Sequence, residues 1–181
     1  MLMTAEQSLL LLIDMQDKLV AAVDQPQQLV ANCQWLLKLS QLLKVPIAAT
    51  EQYAKGIGPT VAALQPYLEQ VTVVDKTVFS CLASADFSQH YPLAQYQQFV
   101  LCGIEAHACI LQTALQLLAQ NKQVFVVVDA ISARQPQDTH YALQRMQQQG
   151  AVLVTKEMVG FEWLRDAKHP AFKTFSQEFL R

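Results

Sequence analysis

Glycine is scarce, with 5 in 181 residues. No G-x-G-x-x-G follows the first apolar run, so the backbone loop that cradles a dinucleotide pyrophosphate is missing, which argues against a nucleotide-binding Rossmann module. The four cysteines, Cys33, Cys81, Cys102 and Cys109, form no C-x-x-C pair, and no Cys/His cluster has zinc spacing. No metal and no other cofactor is therefore expected. Charge is sparse as well, at 15% of residues with a formal net charge of -2. A nucleic-acid or anionic-membrane partner calls for clustered Lys and Arg, and none is present. At the N-terminus there is no basic stretch, and Glu6 precedes the apolar run Leu9–Ile13. That run stops at Asp14, far short of the ~20 apolar residues a membrane span requires. It reads as a buried strand of a cytoplasmic protein whose thiols are free. Linkers, repeats and low-complexity blocks are also missing, so residues 1–181 read as one domain.

What the chain has is apolar bulk, 52% of its residues, arranged as alternating short runs and amphipathic stretches. The runs are Leu9–Ile13, Pro46–Thr50, Val71–Val74, Phe99–Cys102, Val124–Val128 and Ala151–Thr155. They are continuous, as strands buried on both faces should be. Helical patterns lie between them at Leu29–Leu43, Ala108–Gln120 and Gln137–Gln149. Gly150 is placed to cap the third, and Asp138 or Ser132 to open it. Alternation of this kind implies right-handed crossovers and a mostly parallel sheet covered by helices on both faces. The tail after Lys156 carries Phe161, Trp163, Leu164, Phe172, Phe175 and Phe179. It is too apolar for a free extension and is expected to pack on the body or on a second subunit. The low charge, with so many apolar residues, leaves room for a buried oligomer interface, and a homo-oligomer is the expectation.

In open α/β sheets ligands bind beyond the C-terminal strand ends, so the residues after each run matter most. Asp14 follows the first run, Asp75 and Lys76 the third, and Gly103-Ile-Glu-Ala-His-Ala-Cys109 the fourth. A carboxylate, an ammonium and a thiol thus emerge on one edge. A thiol needs activation at neutral pH. A helix N-terminus and a nearby ammonium favour its thiolate, and Cys109 is placed to meet both. Asp14 is suited to accept and return a proton, Lys76 to hold Asp14, and backbone N–H groups before Cys109 to receive an oxyanion. Singly, each residue also has an ordinary reading: Asp14 as a turn or cap, Lys76 as a solvated charge, Cys109 as a core thiol. Cys33 and Cys102 read as core, and Cys81, closer to the site, as packing. His107 stands two residues from Cys109, an offset that points the side chains apart on a helix, so it reads as a rim residue.

The segments Ile13-Asp-Met-Gln16, Lys76-Thr-Val-Phe-Ser80, Gly103-Ile-Glu-Ala-His-Ala-Cys109 and Asp129-Ala-Ile-Ser132 together resemble the isochorismatase-like hydrolases. The likeness runs from about Leu9 to Thr155. The form of the third segment, with Thr50-Glu-Gln-Tyr53, is most similar to the isochorismatase domain-containing subgroup. The resemblance implies a three-layer α/β/α sandwich, Rossmann-like, with a six-stranded parallel sheet. It also implies an Asp14-Lys76-Cys109 triad and a non-proline cis peptide joining Ile104 to Glu105, whose amide, with that of Cys109, faces the oxyanion. Nicotinamidases of the family carry an Asp-x-His metal element after the second strand, and Thr50–Tyr53 has no His. Isochorismatases proper cleave a vinyl ether without a cysteine nucleophile, so Cys109 points instead to C–N hydrolysis through a thioester. The expectation is a cysteine amidohydrolase acting on a small molecule, with Gln16, Tyr53 and Phe79 on the pocket wall. The alternative is a catalytically silent binding or interaction protein on the same fold.

Overall fold

The computed structural model describes residues 1–180. Six strands form one sheet: β1 (Ser8–Ile13), β2 (Ile47–Gln52), β3 (Val73–Lys76), β4 (Gln98–Ile104), β5 (Gln123–Ser132) and β6 (Val152–Val154). Their order is β3-β2-β1-β4-β5-β6, and every neighbouring pair is parallel. The connecting helices include α1 (Asp17–Val20), α2 (Pro26–Leu43), α3 (Ala54–Ile57), α4 (Ala85–His90), α5 (Leu111–Ala119) and α6 (Pro136–Gln148). Two more, α7 (Lys156–Leu164) and α8 (Phe172–Glu178), close the described chain.

The period-2 geometry of a strand divides β1 between two cores. Leu10 and Leu12 join Leu36, Leu39, Val159 and Phe175 from the α2, α7 and α8 side. Leu9, Leu11 and Ile13 join Phe87, Leu117 and Met146 from the α4, α5 and α6 side. All six β1 residues are buried, which is why the strand reads as an unbroken apolar run. The chain is a three-layer α/β/α sandwich.

All six expected runs are strands, but their ends shift. Lys76 and Gln52 are the last residues of β3 and β2 instead of lying beyond them. The expected helix over Ala108–Gln120 begins as a five-residue π turn, Ala106–Ile110, before α5. Neither Ser132 nor Asp138 opens α6. Its N-cap is Gln135 with Pro136 in the first turn, and the Ser132 hydroxyl donates to the Asp24 carbonyl instead. The N–H of Asp138, which a side-chain cap would take, donates to the Gln135 carbonyl at 3.0 Å, so a cap there has less to do. Gly150 does close α6. At φ 106° it lets Ala151 N–H reach the Met146 carbonyl and its own N–H reach that of Gln147, each at 3.0 Å. The tail packs on its own chain. Trp163, Leu164, Phe175 and Phe179 are buried, and Phe175 and Phe179 meet the Trp35 ring of α2 edge-on. Phe161 remains exposed.

Candidate active site

The sheet's connections leave β1 and β4 in opposite directions, and the crevice this opens lies beyond their C-terminal ends. Asp14, the first residue past β1, has a left-handed backbone at φ 53°, which Asp tolerates better than most side chains. Its N–H still donates to the Thr50 carbonyl at 3.0 Å, and its Oδ1 accepts from the Thr50 hydroxyl at 2.7 Å. Its other oxygen, Oδ2, accepts from Lys76 Nζ at 2.7 Å, a buried ion pair. The same ammonium lies 2.6 Å from Gln52 Oε1, 3.3 Å from the Val78 carbonyl and 3.6 Å from Cys109 Sγ. Lys76 therefore bridges the carboxylate and the thiol.

Cys109 is set on the π turn, where Ile110 N–H reaches the Glu105 carbonyl at 3.2 Å. The peptide bond from Ile104 to Glu105 is cis. Glu105 caps the turn and holds Arg134 Nε at 2.9 Å through Oε2. His107 Nε2 is 4.0 Å from that oxygen, and the ring stands at a partly exposed rim.

The electrostatics depart from the sequence reading at one point. A favoured Cys109 thiolate was expected, but burial, and then the charge of Asp14, push this thiol up to about 12. Lys76 pulls the other way and loses, because its charge is already matched by Asp14. Burial by itself disfavours the Lys76 ammonium. The Asp14 carboxylate and the neighbouring sulfurs of Cys81 and Cys109 outweigh it and raise its pKa. The resting site holds an ion pair beside a neutral thiol.

The other anticipated residues fall in two groups. Tyr53 and Phe79 are exposed, each beside a residue that touches Lys76. Gln16 is fully buried, with both ends of its amide tied to the backbone of Gln52 and Gly58. That corrects its reading as a pocket wall: an amide spent on main-chain groups presents nothing to a cavity. Two contributors were missed. Thr50 and Gln52 both belong to β2, which the apolar run ends too early, although the strand-end rule covers Gln52 once the strand is extended by two residues. Cys81 is fully buried, with Sγ 3.8 Å from the Thr50 hydroxyl. Among the described residues, no group of three or more His, Cys, Asp and Glu side chains is placed to hold a metal. Within Thr50–Tyr53, at the end of β2, Glu51 is committed to the N–H and hydroxyl of Thr60.

The parallel α/β/α sheet gathers these three side chains at its switch point, and the family it belongs to has a hydrolase-type fold. The comparisons are specific about the family: the isochorismatase domain model matches residues 8–158, and the chain belongs to that family. Isochorismatase domain-containing protein 2A of Mus musculus is 44% identical over 168 residues, covering 93% of this chain and 80% of that protein. Among solved structures, the MAR1 ribonuclease of Caenorhabditis elegans superposes with a TM-score of 0.94 at 34% identity, covering 100% of this chain and 93% of that one. The YcaC gene product of Escherichia coli, described as an octameric hydrolase of unknown specificity, gives 0.91 at 24% identity over 99% and 91%. At that identity it speaks for the fold alone. No helix among the described residues is long and apolar enough to cross a membrane.

Proposed function

We propose that this protein hydrolyses a C–N bond of a small amide-like molecule through a thioester on Cys109. The observation that carries the reading is Lys76 Nζ, 2.7 Å from Asp14 Oδ2 and 3.6 Å from Cys109 Sγ. Because the resting thiol is protonated, its proton passes to Asp14 as the sulfur attacks the carbonyl carbon. The sulfur gains negative charge as its proton leaves, facing Lys76, and passes that charge to the carbonyl oxygen as the C–S bond forms. The oxyanion takes the N–H groups of Glu105 and Cys109. Asp14 returns the proton to the leaving nitrogen, ammonia or an amine departs, and water cleaves the thioester to release the acid and restore the thiol. Tyr53 and Phe79 flank the entrance. The reading needs no metal and no cofactor.

A second reading comes from the C. elegans protein, named a ribonuclease. A phosphodiester needs cations free to meet phosphate. Here the Lys76 ammonium is taken by Asp14 and Gln52, and Arg134 is paired with Glu105. We therefore favour an uncharged carbonyl substrate. The test is a screen of small amides and ureides, read as ammonia or acid release, run beside single-stranded RNA and a Cys109→Ala control. Turnover of an amide that Cys109→Ala abolishes supports the reading. RNA cleavage that survives Cys109→Ala overturns it, and no turnover with any compound supports a silent binding protein.

A further inference from the structure

We infer that Gln52 is a positioning residue for the Lys76 ammonium and that Gln16 is the strut that holds Gln52 in place. The inference rests on the reading of Cys109 as the nucleophile. Gln52 and Lys76 are in-register partners on the parallel strands β2 and β3, so their side chains leave the same face of the sheet. This registry puts the Gln52 carbonyl 2.6 Å from Nζ. Its amide nitrogen donates to the Thr77 carbonyl at 2.8 Å, which fixes the oxygen, and not the nitrogen, toward the ammonium. An ammonium has three donors on a freely turning bond. Asp14 and Gln52 take two of them at 2.7 and 2.6 Å. The third is left between the Val78 carbonyl at 3.3 Å and Cys109 Sγ at 3.6 Å. A sulfur that gains charge as its proton leaves, before it bonds to carbon, draws that third donor from the weaker carbonyl contact.

The strut follows from the sheet. On its β1 side, β2 pairs as far as Thr50, whose carbonyl takes the Asp14 N–H. Two residues further on, Gln52 turns its N–H and C=O the same way, but β1 has already bent off at Asp14. The Gln16 side chain stands in for the missing strand. Its Oε1 accepts from Gln52 N–H at 2.7 Å, and its Nε2 donates to the Gln52 carbonyl at 3.1 Å. The second Nε2 hydrogen goes to the Gly58 carbonyl at 2.6 Å. Every polar atom of this fully buried amide is used on backbone, which fits a positioning role and leaves none for substrate.

The test needs no substrate. The rate of Cys109 carboxamidomethylation by iodoacetamide is followed from pH 7 to pH 10 by peptide mapping, in a double-mutant cycle of Gln52→Met and Lys76→Met. Circular dichroism confirms that each variant is folded, and Lys76→Gln replaces Lys76→Met if the latter is not. In the parent background, Gln52→Met is expected to slow alkylation at neutral pH by about 2- to 100-fold, the span of coupling within one network, and to move the pH profile upward. In the Lys76→Met background the effect is expected to shrink to what the direct contact between Gln52 Oε1 and Cys109 Sγ, 4.0 Å apart, can supply, because the ammonium it mainly acts through is gone. Gln16→Met is expected to follow the same pattern, and if it fails to fold Gln52→Met decides alone. Equal effects in both backgrounds, or none in either, overturn the inference. Failure of the amide screen with this cycle intact counts against the proposed reaction and leaves the positioning role standing.

Discussion

A methyl group added at Gly103 would run into the carbonyl oxygen of Ile13, its in-register partner across β1 and β4. Gly103 also has φ 113°, a conformation other residues rarely adopt. The positive φ would aim that methyl at β1, at the point where Asp14 leaves one strand and the turn to Cys109 follows on the other. Gly103→Ala meets both obstacles, and neither backbone can yield without moving a member of the site. We expect a loss of at least about 3 kcal/mol of stability. Urea unfolding checks it, and a variant within about 0.5 kcal/mol of the parent would show that the switch point is more compliant than the packing implies.

Phe175 holds the tail to the body. It is fully buried and packs against Trp35, Phe161 and Phe179. Gly160 lies under its ring so closely that a Cβ there would clash with it. Phe175→Ala leaves a cavity that a helix pinned by several aromatics cannot collapse to fill. The expected cost is about 3–5 kcal/mol, measured by thermal or urea unfolding. Alkylation of Cys109 should be little changed, since α8 packs on the side of the sheet away from α5.

Much of this arrangement was legible because buried parallel strands announce themselves. The six apolar runs and the chemistry at Asp14, Lys76 and Cys109 are visible in one dimension. What was hidden depends on contacts between segments. Thr50 and Gln52 look like ordinary polar residues until β2 is extended and registered against β3. Gln16 looks like a site residue because it neighbours Asp14, yet the bend at Asp14 sets it against the edge of β2. The thiol of Cys109 looks activated while Lys76 is considered alone. The error lies in the charge balance: Asp14 cancels that ammonium, and burial then governs the thiol.

The same balance sets the pH dependence of stability. Burial pushes Cys81 up to about 11 and Cys109 up to about 12, against an ordinary value of 9.0. The folded chain thus keeps protons that the unfolded chain releases between those values. Where the native state binds more protons, stability falls as pH rises. The contribution is complete below about pH 9 and drains away above it as pH climbs toward the folded values. The raised Lys76 pKa has the same sign. Melting temperatures recorded from pH 7 to pH 10.5 should be level at first and then decline. In Cys109→Ser the decline should be shallower, and an equally steep fall in that variant would mean the slope comes from elsewhere.

Asp14 and Lys76 should affect the thiol in opposite directions while both supporting turnover. Asp14 raises the Cys109 pKa and Lys76 lowers it. Asp14→Asn removes the negative charge and leaves an unmatched ammonium 3.6 Å from the sulfur in the parent geometry. The thiolate is then favoured, and iodoacetamide should label Cys109 faster at neutral pH. Lys76→Met removes the opposing charge, so labelling should slow. If Asp14 is the proton carrier, Asp14→Asn still lowers turnover of an identified substrate by about 10²–10⁴-fold. A more reactive thiol in a less active enzyme separates proton transfer from thiolate supply, which a single activity assay cannot do. In every variant Cys109 should be labelled before Cys33, Cys81 and Cys102, because it is 6% exposed and they are fully buried. Slower labelling in Asp14→Asn would show that the carboxylate acts on the thiol as its base even toward an alkylating agent, and the sign assigned to its charge would have to be reversed.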